Sequence, residues 1–197
     1  MKNVLIINGH QKYEGFADGN LTRDYINKAE SVFTSNNFEV KHTNVEKEYT
    51  VEEEIEKLLW ADIILFQFPV YWMSLPWMAK KYIDDVFTPS QGQLYVNDGR
   101  SRDDSSKKYG GGGLMKDTQY MLSITYNCPA SEFSNKDGFF EGLSLDEANF
   151  AVHKIFQFCG AKPAETYVVH DVYKGDLNLE NELSIFENTL KQNFIKN

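Results

Sequence analysis

Basic residues, cysteine and long apolar runs are all scarce in this chain, and each shortage closes off a class of protein. Lys and Arg number 20 against 29 Asp and Glu, a formal net charge of −9. Nucleic-acid binders neutralise phosphates with cations, and an anionic membrane surface asks for the same, so neither partner is expected. Cys128 and Cys159 are the only cysteines. Two thiols make no disulfide framework in 197 residues, which points to a reducing, cytoplasmic setting. The longest early apolar run, Val4 to Ile7, is too short for a signal-peptide core or a membrane span, so no integral membrane segment is expected. His10, His42, His153 and His170 are dispersed without metal-ligand spacing, and no metal site is expected. Neither a Walker lysine motif nor G-x-G-x-x-G is present, which weighs against nucleotide triphosphatases and ordinary dinucleotide folds.

What the chain has in excess is aromatic residues, 14% of positions. A surplus of this kind supplies core and often lines a pocket for a flat ligand. Four short apolar runs, Val4–Ile7, Ile63–Phe66, Met121–Ile124 and Tyr167–Val169, suit strands covered on both faces. Phe38–Thr43 alternates apolar and polar residues, as an edge strand does. Helical spacing fills the intervals: Leu21–Ser35 up to a stop at Asn36-Asn37, Val51–Trp60, a helix opened by Pro76 at its first position, Asp146–Cys159, and Asn181–Ile195. Strand and helix alternate five times, which predicts an α/β fold: one parallel sheet with helices on both faces. Its five strands are expected in the order 2-1-3-4-5, within a single domain over residues 1–197. A loop insertion from Thr88 to Lys116 carries no periodic pattern, and it is either a mobile surface segment or a functional one.

In open sheets of this class ligands bind beyond the carboxyl ends of the strands, where the order reverses. Loops 9–20, 68–75 and 125–130 should converge there. The first leads into a helix start at Asp18-Gly19-Asn20-Leu21-Thr22, whose free N–H groups suit an anion, although Asp18 or Asn20 acting as a simple cap is the commoner meaning. The second, Phe68-Pro69-Val70-Tyr71-Trp72-Met73-Ser74-Leu75-Pro76, presents aromatics on a stiff backbone and suits stacking against a planar ring such as a flavin; the plainer alternative is core capping or a subunit interface. The third, Thr125-Tyr126-Asn127-Cys128-Pro129, offers donors for a ring edge. Cys128 reads as an inert thiol and Asp84-Asp85 as helix surface; Arg100, Arg102, Lys107 and Lys108 read first as a solvated loop, the other reading being a contact for a nucleotide's extra phosphate.

The run from Pro69 through Trp72, Pro76 and Lys80 to Val86-Phe87 resembles the P-x-x-W-x-x-x-P-x-x-x-K-x-x-x-x-x-V-F stretch of the flavodoxin-like NAD(P)H:quinone oxidoreductases. Gly112-Gly113-Leu114 followed by Tyr120–Thr125 is similar to that family's fourth strand and its approach. The resemblance implies a flavodoxin-like fold and a homodimeric, FAD-dependent enzyme reducing quinones with NADPH. By position, Ala17, Asp18, Gly19, Asn20, Leu21, Thr22, Arg23 and Asp24 would hold the FAD diphosphate and nearby atoms. Val70, Tyr71, Trp72 and Met73 would contact the flavin, as would Thr125, Tyr126, Asn127 and Cys128, with Tyr109 a further contact from the insertion. Many relatives have a hydroxyl residue near position 17, where this chain has Ala17 followed by Asp18. Wider relatives carry glycines where it has Tyr126-Asn127. The resemblance assigns no essential catalytic side chain, and Tyr126 is a candidate for orienting a quinone. Two other readings stay open at this point: an FMN electron carrier of the flavodoxin class, and a non-enzymatic interaction module of the same fold.

Overall fold

The computed structural model describes residues 1–174 and 176–195. Its frame is a parallel sheet made from the short apolar runs: β1 (Asn3–Asn8), β2 (Glu39–Asn44), β3 (Ile63–Pro69) and β4 (Gln119–Thr125), with β5 (Lys162–Pro163) and β6 (Tyr167–Val169) both alongside β4. The order is β2-β1-β3-β4-β5, with every pair parallel, as expected. The fifth position holds two short strands instead of one. Tyr120 pairs with Pro163 and Ser123 with Tyr167, so three steps along β4 match four along the edge. One extra residue within 164–166 makes a bulge, tolerable on an edge whose Pro163 has no N–H to donate.

Alternation along the strands sorts side chains to two faces. Val4, Ile6, Ile63, Leu65 and Met121 meet α1 (Asn20–Ser35) and α6 (Leu179–Phe194), where Tyr25, Phe33, Phe186 and Phe194 fill the layer. Leu5, Ile7, Ile64, Phe66, Phe68, Leu122 and Ile124 meet α2 (Val51–Trp60), α3 (Trp77–Phe87) and α5 (Phe150–Phe158) on the other side. β3 is buried along its whole length, which explains its apolar run Ile63–Phe66; Gln67, also buried, accepts from Ser123 Oγ at 2.5 Å.

Helix boundaries differ from expectation in two places. Pro76 sits just outside α3 instead of at its first helical position. The helix expected over 146–159 is split into α4 (Leu145–Ala148) and α5, because Asn149 turns its side-chain amide back to the Leu145 carbonyl at 2.9 Å. α4 opens on a capping box in which Ser144 and Glu147 satisfy each other's backbone N–H.

The insertion folds back on itself at its two ends. Val96 N–H donates to Gly112 O at 2.8 Å, Leu114 N–H to Leu94 O at 2.9 Å, and Met115 N–H to Cys159 O at 2.8 Å. A Cβ on Gly113 would lie 2.2 Å from the Cys159 carbonyl carbon, so only glycine lets the loop pass so close to the end of α5. These bonds tie the two ends of the insertion to each other and to the rest of the fold. No described helix is long and apolar enough to cross a membrane.

Candidate functional site

The carboxyl ends of β1, β3, β4 and β6 open into one cleft of about 990 Å³. Loops 9–20, 68–75 and 125–130 all reach it, as does the loop after β6. Its walls include eleven of the residues expected there: Ala17, Asp18, Gly19, Asn20, Leu21 and Thr22 from the first loop, Val70, Tyr71 and Trp72 from the second, and Thr125 and Asn127 from the third. The second and third loops are tied by Val70 N–H donating to Thr125 O at 3.0 Å.

At the first loop the expected cap is not formed. Gly19 holds the N-cap position of α1 with φ 76°, and no side chain caps the helix. Its first turn carries no acidic residue, so the N-terminal N–H groups of α1 face the cleft without a built-in anion. A Cβ on Gly19 would meet the His10 ring at 3.0 Å, so glycine is needed for the helix end to sit this close. The Asp18 carboxylate lies 3.8 Å from Lys12 Nζ, and Arg23 Nη1 donates to the Asp18 carbonyl at 2.9 Å while also bonding Asn20. Arg23 and Asp24 themselves are not on the cleft wall.

The second loop is a two-residue reverse turn. Tyr71 N–H donates to Ser74 O at 2.9 Å and Ser74 N–H returns the bond to Tyr71 O at 3.2 Å. Trp72 has φ 49° and Met73 φ 68°. Turns with two positive φ values normally use Asn and Gly, and bulky residues there are strained. The turn leaves the Trp72 side chain 94% exposed. Strain kept at a site where it serves no packing is a mark of function. A second hollow of about 780 Å³ lies on the other side of this turn, sharing Tyr13, Tyr71 and Trp72 and bounded by Trp77 and Lys80 of α3.

Tyr71 anchors the turn to the first loop. Its hydroxyl donates to Gln11 O at 3.0 Å and lies 3.3 Å from His10 Nε2. Burial, with the neighbouring Tyr173, Tyr13 and Glu46, pushes its pKa up to about 12, so the hydroxyl keeps its proton. Burial lowers the pKa of His10 against the pull of Glu46, whose carboxylate is 3.8 Å from Nδ1.

Besides Arg23 and Asp24, four more expected residues stand off the wall. Met73 lies beside it, and Tyr126, only 5% exposed, donates its hydroxyl to Met73 Sδ at 3.6 Å. That hydroxyl therefore reaches the turn and is not on the cleft wall. Burial raises the Cys128 thiol pKa, in keeping with an inert cysteine, and the Cys128 carbonyl accepts from His170 Nδ1 at 2.8 Å. Tyr109 is separated from the cleft: it packs on Phe158, with ring centroids 5.6 Å apart, at the end of α5 that leads into β5. Within one chain it does not meet the other expected residues. The basic cluster is exposed, with Arg100 paired to Asp98. Lys80 and Lys81 pair with Asp84 and Asp85 on the surface of α3.

Sequence reasoning missed His10, Tyr13, Phe16, Val172 and Tyr173, all of which line the cleft. The last two follow β6 directly, and any loop after a parallel strand of this sheet emerges at the same edge. Among the described residues no cluster of His, Cys, Asp and Glu is arranged to hold a metal ion.

Comparison with known proteins agrees with this architecture. The profile of a family described by its flavodoxin-like fold matches residues 2–192. A Haemophilus influenzae protein named NADPH:quinone oxidoreductase MdaB is 39% identical over 172 residues, covering 87% of this chain and 89% of its own. Among solved structures, a Klebsiella pneumoniae protein assigned as a quinone reductase aligns with TM-score 0.79 at 20% identity, over 100% of this chain and 86% of its own. General stress protein 14 of Treponema denticola, solved in complex with FMN, aligns with TM-score 0.68 at 17% identity, over 98% of this chain and 99% of its own.

Proposed function

Because the chain belongs to the family with the flavodoxin-like fold, we propose that its cleft holds FAD and that the protein is an oxidoreductase transferring two electrons from NADPH to a quinone. The observation that carries this reading is the meeting, in one cleft, of an uncapped helix N-terminus and a strained aromatic turn. The donor set suits a flavin. N–H groups at Asn20, Leu21 and Thr22, next to a glycine that permits close approach, suit a diphosphate. Asp18 is drawn to Lys12, which tempers its charge beside that anion. Val70, Tyr71 and Trp72 of the second loop and Thr125 and Asn127 of the third line the part of the cleft that suits the ring. The likeness to an NADPH:quinone oxidoreductase at 39% identity supports donor and acceptor.

A flavin supplies the hydride chemistry, and the protein supplies position, electrostatics and access. Trp72 and Tyr71 bound the ring on one side, leaving a single open approach from solvent. NADPH and quinone use that approach in turn, a ping-pong order. Tyr109 and the insertion reach a flavin only in a second copy, which is why we take the working form to be a homodimer. The exposed basic cluster at Arg100, Arg102, Lys107 and Lys108 then offers charge for the extra phosphate of NADPH.

The FMN bound by the Treponema denticola neighbour favours a second reading, an FMN electron carrier. The visible spectrum of the purified protein and chromatography of its released flavin separate the two. We expect a yellow protein releasing FAD. FMN as the main species moves the reading to the carrier, and a colourless protein that takes up neither flavin leaves only an interaction module.

A further inference from the structure

Two exposed aromatic rings at the mouth of the cleft have no part in the reading above. Phe16 is 65% exposed and Tyr173 57% exposed, yet both line the cleft. Their rings stack with centroids 5.5 Å apart and planes 29° from parallel. They come from opposite walls, Phe16 from the loop after β1 and Tyr173 from the loop after β6.

The pair is built before any ligand arrives. The Tyr173 hydroxyl donates to the Phe16 carbonyl at 2.9 Å, and the Tyr173 N–H donates to Asn127 Oδ1 at 3.0 Å. Phe16 is held in a closed turn, where Tyr13 N–H donates to Ala17 O at 3.1 Å and Ala17 N–H to Tyr13 O at 2.8 Å. Gly15, at φ 69°, lets that turn close. Ordering two large rings in water gains little for the fold, so their flat surface is available for a flat ligand.

Position says which ligand part. Phe16 precedes the Gly19 N-cap by three residues, so the platform adjoins the place suited to phosphate. In FMN the molecule ends at that phosphate. A dinucleotide flavin continues past it to a second phosphate, a ribose and a purine. We propose that Phe16 and Tyr173 form the platform on which the adenine ring of FAD rests, and that they make the cleft select FAD over FMN. The proposal rests on the flavin reading above and adds to it a subsite for adenine.

The test titrates apoprotein, freed of flavin, with FAD and separately with FMN, following quenching of flavin fluorescence. In the Phe16→Leu, Tyr173→Leu double variant the FAD dissociation constant should rise about tenfold, in line with loss of a base–aromatic stack. FMN binding should not change. Tyr173→Phe keeps the ring while losing the bond to Phe16 O, and should keep most of the preference for FAD. Both sites are exposed, and thermal melting checks that the variants are folded. Equal weakening of both flavins, or no change in either, overturns the platform while leaving the flavin reading intact. So does a shift in oligomeric state by light scattering without a change in the FAD-to-FMN ratio, which assigns the rings to a second copy. Parent protein that binds neither flavin overturns the flavin reading itself, and the platform with it.

Discussion

Replacing Trp72 with glycine separates what the turn does for the fold from what it does for the ligand. Trp72 is 94% exposed, so its ring adds almost nothing to packing within the chain. Its φ of 49° is a left-handed conformation that costs a side-chain-bearing residue about 1–2 kcal/mol. Glycine relieves that strain but raises the entropy of the unfolded chain, which offsets about 0.4–1 kcal/mol. The net change in the flavin-free protein is a gain of about 0.5–1 kcal/mol, seen as a rise in Tm of about 1–3 °C for a chain of this size. Flavin binding moves the other way. Losing one aromatic contact costs about 0.5–1.5 kcal/mol beyond lost area, a dissociation constant raised about fivefold. Melting of the apoprotein and fluorescence titration of flavin read the two effects separately. Trp77→Gly is the control, since Trp77 opens α3 and bounds only the second hollow. A Trp72→Gly protein that melts lower than its parent, or binds flavin as tightly, refutes the reasoning.

Gly113→Ala should lower Tm by about 5–10 °C, because its Cβ would press on the Cys159–Gly160 backbone at a cost of about 2–3 kcal/mol; an unchanged Tm would detach the insertion from α5. His153 Nε2, 3.2 Å from Asp146 Oδ1, holds the Asp146 carboxyl below its usual pKa. Its stabilising share is full above the unfolded value of about 3.9 and is lost as pH falls through the lowered folded value. Asp146→Asn should therefore flatten the acid end of the stability curve, measured by denaturant midpoints below about pH 4, and equal slopes in parent and variant would remove the role. Initial rates at varied NADPH and quinone should give parallel double-reciprocal lines, with NADPH preferred over NADH. Intersecting lines would mean that both substrates bind together.

The sheet was legible because its signals are local. Val4–Ile7 and Ile63–Phe66 are apolar on consecutive positions because both faces of β1 and β3 are covered. The stop at Asn36-Asn37 is likewise present, with Asn37 at φ 62°. The bulge beside β4 was not legible, since register depends on a partner strand far away in the chain. The break at Asn149 turns on one side-chain bond to Leu145. The Tyr71–Ser74 turn was hidden for another reason: Trp72-Met73 lacks the Gly or Asn that marks such turns, and this mismatch between sequence and backbone points to the site itself. Tyr109, read as a flavin contact, packs on Phe158 away from the ligand loops of its own chain, a placement set by long-range packing that no local pattern shows. Phe16 and Tyr173 were visible as aromatics, but 157 residues apart nothing in the sequence pairs them.

An anaerobic titration of the purified, flavin-loaded protein decides whether its bound flavin carries electron pairs from NADPH to a quinone. Stoichiometric NADPH should bleach the visible flavin absorption completely, and stoichiometric quinone should restore it at once, with no long-wavelength radical band in either direction. Flavin that NADPH leaves oxidised, or that passes through a stable radical on the way, would contradict it.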